Sequence, residues 1–379
     1  MAGSPGGVRP YLGERLTPAE AEAIRGLPAA HAAPPGGLAH GLAPRLPYRG
    51  EVFRLRTALH QGQGKLFLGL LRFLTTHGHR APTVLYVGAA PGTNISLAAA
   101  LFPDHRFYLY DCAPFRLNAE KLRDIRDGPV GPRIRTFARF FTDSEAARWG
   151  GQGRPLLFIS DIRGSSASDE DPAGEASVAA DMGAQRRWYG LLGGAAAASM
   201  FKFRLPYAAA RVEYLAGELW RQPFAPLSST ETRLVVVGPR APPAVYDSEA
   251  YEEELFYHNT VLREWGHFPT GVRAEGVDDC YDCAAAVRTW RGYLLQAGNE
   301  EDEDGLRASI ARMLEIQERH LGQPLLSPPH GVRSRAEGRP RPDGEGGALL
   351  AGSRRKHERR RRFLRESRRA AGPEGAGAA

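Results

Sequence analysis

Hydrophobic positions along the chain follow a helical period first and then fall into short runs. From Gln63 onward, apolar residues recur at the spacing of one helix face, at Leu66, Leu70, Phe73 and Leu74. Apolar runs rich in β-forming residues follow, and we predict strands at 83–87, 107–110, 134–137, 156–160, 198–203 and 233–237. Helical stretches lie between several of them, notably 94–101 and 179–192, and a further helix is predicted at 305–321. This alternation predicts an α/β fold with a mainly parallel central sheet and helices on both faces.

Both ends of the chain differ in composition from the middle. Residues 1–45 are dominated by Ala, Gly and Pro and are expected to lack a packed core, whereas 46–322 are expected to form one domain. The net charge is +7, but residues 330–379 hold fourteen Lys and Arg against six Asp and Glu, so the rest is nearly neutral. We therefore expect 323–379 to be a disordered basic tail that binds nucleic acid or acidic surfaces nonspecifically. Residues 164–176 are polar, acidic and small, and predict a mobile loop.

Membrane and metal signals are weak. No apolar run reaches the roughly 18 residues of a membrane span, and the first residues lack the regions of a signal peptide, so a soluble intracellular protein is expected. Cys112, Cys280 and Cys283 are too few for a disulfide framework. Cys280 and Cys283 have the spacing of metal ligands, but no second pair follows. We therefore expect reduced structural thiols and no metal site.

A turn of small residues follows the first predicted strand, from Gly88 through Gly92. Glycines let backbone approach a ligand closely, and the helix N-terminus that follows favours polar or anionic groups. A doubly wound sheet binds its ligand at this place. The spacing fits neither a dinucleotide fingerprint nor a P-loop, which leaves a nucleoside-bearing ligand without a large phosphate group, such as S-adenosylmethionine. Another α/β ligand and a turn without a ligand remain alternatives.

Charged residues stand at five informative positions. Asp111 ends the strand after the glycine turn, where a carboxylate can accept hydrogen bonds from ribose hydroxyls. Asp161 ends an apolar strand, and Lys202 lies between apolar neighbours, where an unpaired lysine is costly. Glu231 opens the last strong strand and Lys65 heads the first helix. Each alone could be a strand-edge charge, a snorkelling lysine or a solvated helix start, so only the ordered set indicates a site.

The order Lys65, Asp161, Lys202, Glu231 resembles the Lys-Asp-Lys-Glu tetrad of ribose 2′-O-methyltransferases. From about Tyr48 to about Leu295 the chain is more specifically similar to poxvirus cap-specific mRNA 2′-O-methyltransferases, which double as the small, stimulatory subunit of the viral poly(A) polymerase. The segments that carry the similarity are 61–65, 86–93, 159–163, 202–207, 222–226 and 230–234. This resemblance implies a Rossmann-like S-adenosylmethionine-dependent methyltransferase fold. It also implies methyl transfer from S-adenosylmethionine to the ribose 2′-hydroxyl of the first transcribed nucleotide of m7G-capped mRNA.

The resemblance implies roles for individual residues. Lys202 would be the general base, with Lys65, Asp161 and Glu231 as the other catalytic residues. The implied cofactor-binding residues are Gln63, Tyr86, Gly88, Gly92, Asp111, Phe141 and Asp161. The implied cap and RNA groove consists of Tyr48, Arg204, Leu205, Pro206, Tyr207, Ser229, Thr230, Glu231 and Glu252. Within it, Tyr48 and Tyr207 would stack on the cap guanine and Glu252 would read its edge.

The resemblance implies three partners: m7G-capped mRNA, the catalytic subunit of poly(A) polymerase in a heterodimer, and the viral RNA polymerase during elongation. It also implies a location in the virion and the host cytoplasm, without a membrane partner. Ala113 replaces an arginine of the family, and 208–210 lack the family's second acidic guanine reader, so guanine discrimination would depend on Glu252. Tyr207 replaces a phenylalanine and keeps a stacking face. One rival function is a non-catalytic RNA-binding polymerase subunit, against which the intact tetrad argues. A small-molecule or protein methyltransferase is the other, and it would not need both lysines together with Glu231.

Overall fold

A seven-stranded central sheet organises the computed structural model, which describes residues 62–117, 131–164, 172–206, 209–226, 229–259, 263, 268–274 and 277–322. The strands in chain order are β1 (Thr83–Val87), β2 (Arg106–Asp111), β3 (Ile134–Ala138), β4 (Leu156–Ser160), β5 (Ala196–Phe203), β6 (Arg211–Leu215), β7 (Glu218–Trp220), β8 (Thr232–Val237) and β9 (Pro243–Asp247). The central order is β3-β2-β1-β4-β5-β8-β7, and β6 pairs with β9 in a separate two-stranded sheet. The first five strands in this order, β3, β2, β1, β4 and β5, are parallel, whereas β8 runs antiparallel to both of its neighbours.

Helices cover both faces of the central sheet. They are α1 (Gly62–His77), α2 (Thr93–Leu101), α3 (Asp143–Gly151), α4 (Pro172–Leu192), α5 (Ser248–Tyr257), α6 (Tyr281–Gln296) and α7 (Glu303–Leu321). One hydrophobic core joins the sheet to α1, α2, α6 and α7, and a second joins it to α3, α4 and α5. All five residues of β4 are buried, and its four apolar residues alternate between the two cores. The predicted Rossmann-like α/β fold class is thereby confirmed.

The predicted strands and helices all form, with ends that differ by at most two residues except for the helix predicted at 179–192, which begins at Pro172. The expected loop at 164–176 is wrong in its last part, because α4 begins at Pro172. Proline suits the first turn of a helix, where its fixed φ is already helical and its missing N–H has no partner to lose. Residues 165–171, 1–45 and 323–379 lie outside the described residues. Among the helices that the structure describes, none is both long and apolar enough to cross a membrane.

Strand direction brings distant charged residues to one edge of the sheet. The carboxyl ends of β1, β2, β4 and β5 meet there, and β8 begins there because it is antiparallel. Its register pairs Thr232 with Phe203 at the end of β5. Lys202 near the end of β5, Asp161 just after β4 and Glu231 just before β8 therefore reach the same edge.

Candidate active site

The four residues of the predicted tetrad form one connected ion cluster. Lys65 Nζ lies 3.0 Å from Glu231 Oε1, although the two residues are 166 positions apart. Lys202 Nζ lies 3.0 Å from Asp161 Oδ1 and 3.5 Å from Glu231 Oε2. The side chains of the two carboxylates are each 9% exposed and that of Lys202 is 17% exposed. The lysine thus stands between two acids in a nearly closed site with a small open face.

Two arginines and a glutamine that were not among the predicted site residues complete the cluster. Arg233 Nη1 donates to Asp161 Oδ1 at 2.7 Å, and Arg163 Nη2 donates to Glu231 Oε2 at 2.9 Å. Gln222 accepts a hydrogen bond from Arg233 Nε at 3.0 Å and donates one to Glu231 Oε1 at 3.1 Å. Gln222 therefore links the arginine that holds one carboxylate to the other carboxylate.

Arg233 belongs to the site because of strand register. It stands directly opposite Lys202 in the β5–β8 pair. Two like charges at opposite positions destabilise a strand pair unless an acid lies between them, and Asp161 Oδ1 contacts both. Arg233 follows Glu231 at the two-residue period of a strand face, and this spacing is the signal that could have identified it.

Positive charge exceeds negative charge in this cluster. Its cations are Lys65, Arg163, Lys202 and Arg233, and its anions are Asp161 and Glu231. Burial alone would raise the pKa of Asp161, but Arg233 and then Lys202 more than offset it, so the pKa lies below its usual value. Burial opposes ionisation of Glu231 too, yet Lys202, Lys65 and Arg233 hold its pKa well below the usual value. Both acids are therefore ionised at neutral pH, and the excess positive charge favours an anionic substrate such as RNA.

The glycine turn after β1 requires glycine at both predicted positions. Gly88 has φ +76°, and a Cβ there would lie 2.7 Å from the backbone C and O atoms of Asp161. Gly92 caps α2 with φ +80°, and its Cβ would lie 2.9 Å from the side chain of Leu117. Only glycine adopts this left-handed conformation at low cost. The turn therefore packs its backbone directly on the segment that carries Asp161.

Asp111 holds this turn against the end of β2. Its Oδ2 accepts a hydrogen bond from the backbone N–H of Ala90 at 2.9 Å, and its Oδ1 accepts one from that of Ala113 at 2.8 Å. Ala113, where the family has arginine, thus contributes a backbone donor only. Each carboxylate oxygen can still accept another hydrogen bond, which is what recognition of a ribose diol needs.

Gln63 and Tyr86 are two further predicted cofactor-binding residues. Gln63 is half-buried in the first turn of α1, two positions before Lys65. Tyr86 is 3% exposed, and burial followed by the nearby Asp161 raises its pKa. Its phenol is therefore neutral, and it lies within the field of the charged groups that it adjoins.

Phe141 is mainly a core residue. It is 6% exposed, and its ring makes edge contacts with Tyr110 and Trp188 at centroid distances of 5.0 Å and 5.1 Å. A ligand could contact only the small face that remains. The preceding Phe140 is 74% exposed and lies just beyond the end of β3, so it offers the accessible ring at this position.

Most of the predicted groove residues are buried. Less than a tenth of the surface is exposed for Arg204, Leu205, Pro206, Thr230 and Glu252, whereas Ser229 is half-buried. Nucleotide contact there would use backbone atoms or require neighbouring side chains to move. Tyr48 and Tyr207 lie outside the described residues, so their predicted stacking stays a prediction.

Tyr251 of α5 joins the two halves of the predicted groove. Its hydroxyl donates to the carbonyl oxygen of Thr230 at 2.7 Å and lies 2.9 Å from Thr232 Oγ1. It also lies 3.4 Å from the carbonyl oxygen of Phe203. The segments that leave β5 and enter β8 are thereby fixed next to each other, with Glu252 adjacent in sequence to this anchor.

Comparison with known proteins places the chain in a family. Residues 40–266 match the family described as poly A polymerase regulatory subunit. The matched region ends before residue 295, to which the sequence similarity was expected to extend. The cap-specific mRNA (nucleoside-2′-O-)-methyltransferase of Myxoma virus (strain Lausanne) is 29% identical over 222 residues, covering 54% of this chain and 62% of that relative. The protein of the same name from Fowlpox virus (strain NVSL) is 29% identical over 217 residues, covering 54% and 68%.

The chain thus spans 62% of the length of the Myxoma virus relative that it matches. The solved structure of bluetongue virus VP4, described as a multifunctional RNA-capping production line, aligns at 13% identity and a TM-score of 0.39, over 70% of this chain and 40% of that one. The family match covers more than half of the 379 residues. The chain therefore belongs to the poly A polymerase regulatory subunit family.

Proposed function

We propose that this chain transfers a methyl group from S-adenosylmethionine to the ribose 2′-oxygen of the first transcribed nucleotide of m7G-capped mRNA. The observation that carries the proposal is the contact of Lys202 with both Asp161 and Glu231, beside the turn at Gly88. The names of the Myxoma and Fowlpox virus relatives support the same reaction.

The residues at the glycine turn fit S-adenosylmethionine. When bound, this cofactor supplies a methyl group activated by a sulfonium. Gly88 and Gly92 would let backbone lie against it, and Asp111 would accept hydrogen bonds from the ribose hydroxyls. Gln63 and Asp161 would complete the cofactor-binding set at the same edge. The excess positive charge of the ion cluster suits the phosphate groups of an acceptor RNA.

Lys202 is the group best placed to take the proton of the attacking 2′-hydroxyl. An amine in water is mostly protonated at neutral pH, so a lysine base must lose its proton before it can act. Asp161 and Glu231 orient the Lys202 amine, but they are also bound by Arg233, Lys65 and Arg163. These other cations offset part of the negative charge of the two carboxylates. The chain thereby positions the acceptor and removes one proton, which are the tasks that this substitution leaves to a protein.

We further propose that the chain is the regulatory subunit of a poly(A) polymerase, in a heterodimer with the catalytic subunit. Its family membership supports this role, and the basic residues between 354 and 369 suit RNA contact. Association with a viral RNA polymerase is the more distant extension of the same proposal. A purely non-catalytic subunit is the competing function.

Substitution of Lys202 separates these functions. Lys202→Ala should abolish methyl transfer to capped RNA and retain S-adenosylmethionine binding, because the base faces the acceptor. Lys202→Arg should also fail, since a guanidinium does not deprotonate near neutral pH. Arg307→Ala removes an exposed, ion-paired cation on α7 and should leave transfer unchanged.

Stimulation of the polymerase subunit should survive Lys202→Ala, because that activity needs RNA and protein surfaces and no base. Substantial transfer by folded Lys202→Ala would remove the lysine from its role. Wild-type protein that stimulates the polymerase and transfers no methyl group would favour the non-catalytic subunit.

A further inference from the structure

Three side chains that can bind a metal meet where α6 begins. A carboxylate oxygen of Asp278 and the Sγ atoms of Cys280 and Cys283 all lie within 4.8 Å of one another. Two thiolates on one tetrahedral zinc ion stand about 3.8 Å apart, given a zinc–sulfur distance of about 2.3 Å. The two sulfur atoms therefore need to approach each other by about 1 Å at most to share an ion.

Local hydrogen bonds hold this arrangement in place. Asp278 Oδ1 accepts from the backbone N–H of Cys280 at 3.0 Å, and Cys280 Sγ accepts from that of Cys283 at 3.4 Å. Cys280 is the N-cap residue of α6, so its sulfur stands at the start of that helix. Cys283 is 3% exposed, while the other two side chains are half-buried. The cluster is thus pre-formed on its inner side and reachable from outside.

The neighbouring carboxylates are committed to other partners. Asp282 makes two hydrogen bonds with Arg263, at 2.9 Å and 2.7 Å. Asp279 Oδ1 accepts from the backbone N–H of Thr270 at 2.9 Å. Asp278, in contrast, forms no ion pair with any cation in the described part of the chain. Asp278 is therefore the neighbouring carboxylate that can bind an ion together with the two thiols.

We propose that Asp278, Cys280 and Cys283 bind one zinc ion, with water as the fourth ligand. Two thiolates and one carboxylate select zinc over magnesium or calcium, which prefer oxygen ligands. Three protein ligands and one water form a recognised zinc geometry. The two cysteines lack a second pair, but Asp278 would supply the third ligand from two residues upstream of Cys280.

The ion would link Asp278, in the segment before α6, to Cys280 and Cys283 at the start of that helix. Helix α6 packs Trp290 against Phe67 of α1, with ring centroids 5.6 Å apart. Helix α1 carries Lys65 in its first turn. Zinc at this position would therefore stabilise the helical layer that supports one member of the ion cluster.

Cobalt titration of the untagged, reduced full chain tests the site, because cobalt bound to thiolate absorbs by charge transfer. One equivalent of cobalt should produce this absorption, and zinc should displace it. Cys280→Ser and Cys283→Ser should abolish the absorption, and Asp278→Asn should weaken binding by at least about tenfold, the loss that even outer-shell changes produce. Serine at position 280 can still cap α6, so the fold should survive.

Cys112→Ser is the matched control, since Cys112 is the exposed cysteine outside the cluster. It should leave the absorption unchanged, and zinc should raise the thermal midpoint of the wild type and of Cys112→Ser but not of Cys283→Ser. The proposal is overturned if reduced wild type shows no thiolate–cobalt absorption. It is overturned equally if the absorption persists in both Cys280→Ser and Cys283→Ser, or disappears in Cys112→Ser.

Discussion

Gly88→Ala is the change that most sharply tests the packing of the glycine turn. The new Cβ would lie 2.7 Å from the backbone C and O atoms of Asp161 and 2.8 Å from the backbone N of Ile162. All three are backbone atoms, so no side-chain rotation can relieve the contact. Relief requires the turn to move away from the segment that carries Asp161.

The cost of Gly88→Ala has two sources. A non-glycine residue in the left-handed region costs about 1–2 kcal/mol, and overpacking of a well-packed interior typically costs about 1–3 kcal/mol. We therefore expect the free energy of unfolding to fall by about 2–5 kcal/mol. The dissociation constant for S-adenosylmethionine should rise as well, because the displaced backbone forms the proposed cofactor site.

Gly69→Ala provides a control of opposite sign. Gly69 lies inside α1, and outside the adjacent helix backbone no heavy atom stands within 4 Å of its added Cβ. Alanine in a helix interior is better than glycine by about 1 kcal/mol, so urea unfolding should show a gain of that size. Equal free energies of unfolding for Gly88→Ala and Gly69→Ala would refute the tight approach of the turn to Asp161.

The remaining predictions concern charge, stacking and the tail. Glu231→Gln should reduce the free energy of unfolding by about 3–5 kcal/mol, because it leaves buried cations without their shared partner. The lowered pKa of Glu231 stabilises the fold at pH values above about 4, the pKa of this residue in the unfolded chain. This stabilisation is lost as the pH falls through the lower pKa of Glu231 in the folded state. The free energy of unfolding, measured in urea, should therefore fall more steeply between about pH 6 and about pH 3 in wild type than in Glu231→Gln. Tyr207→Ala should weaken capped-RNA binding by about 1–3 kcal/mol in a fluorescence titration, and Tyr207→Phe should be mild because the ring face remains. Truncation after Gly322 should lower the salt slope of RNA binding and leave cap-dependent transfer largely intact, whereas a stable but inactive truncation would contradict a merely electrostatic tail.

Elements with a clear period could be predicted from the sequence. The run that forms β4 is apolar at every position, and the structure buries all of it. Asp161 follows directly on this run, and it lies beside Lys202. In contrast, β6, β7 and β9 were not predicted, because their formation depends on pairing with remote segments more than on local period.

The remaining members of the site depended on register and packing. Arg233 faces Lys202 only because β8 is antiparallel, and sequence alone does not specify that register. Gln222 contacts Glu231 from nine positions away, through a turn after β7 that carries no catalytic signature. The Asp278 cluster lies outside this site, and the spacing of its two cysteines alone does not indicate a metal, because the third candidate ligand is a carboxylate.

Cap-dependent 2′-O-methylation can be tested directly by one assay. Full-length wild-type protein is incubated with S-adenosylmethionine labelled in its methyl group and with one RNA sequence, either m7G-capped or uncapped. Nuclease digestion then locates the label. We predict label on the ribose 2′-oxygen of the first transcribed nucleotide of the capped RNA, and almost none on the uncapped RNA. Absence of label, equal labelling of both RNAs, or label on a base would contradict the account.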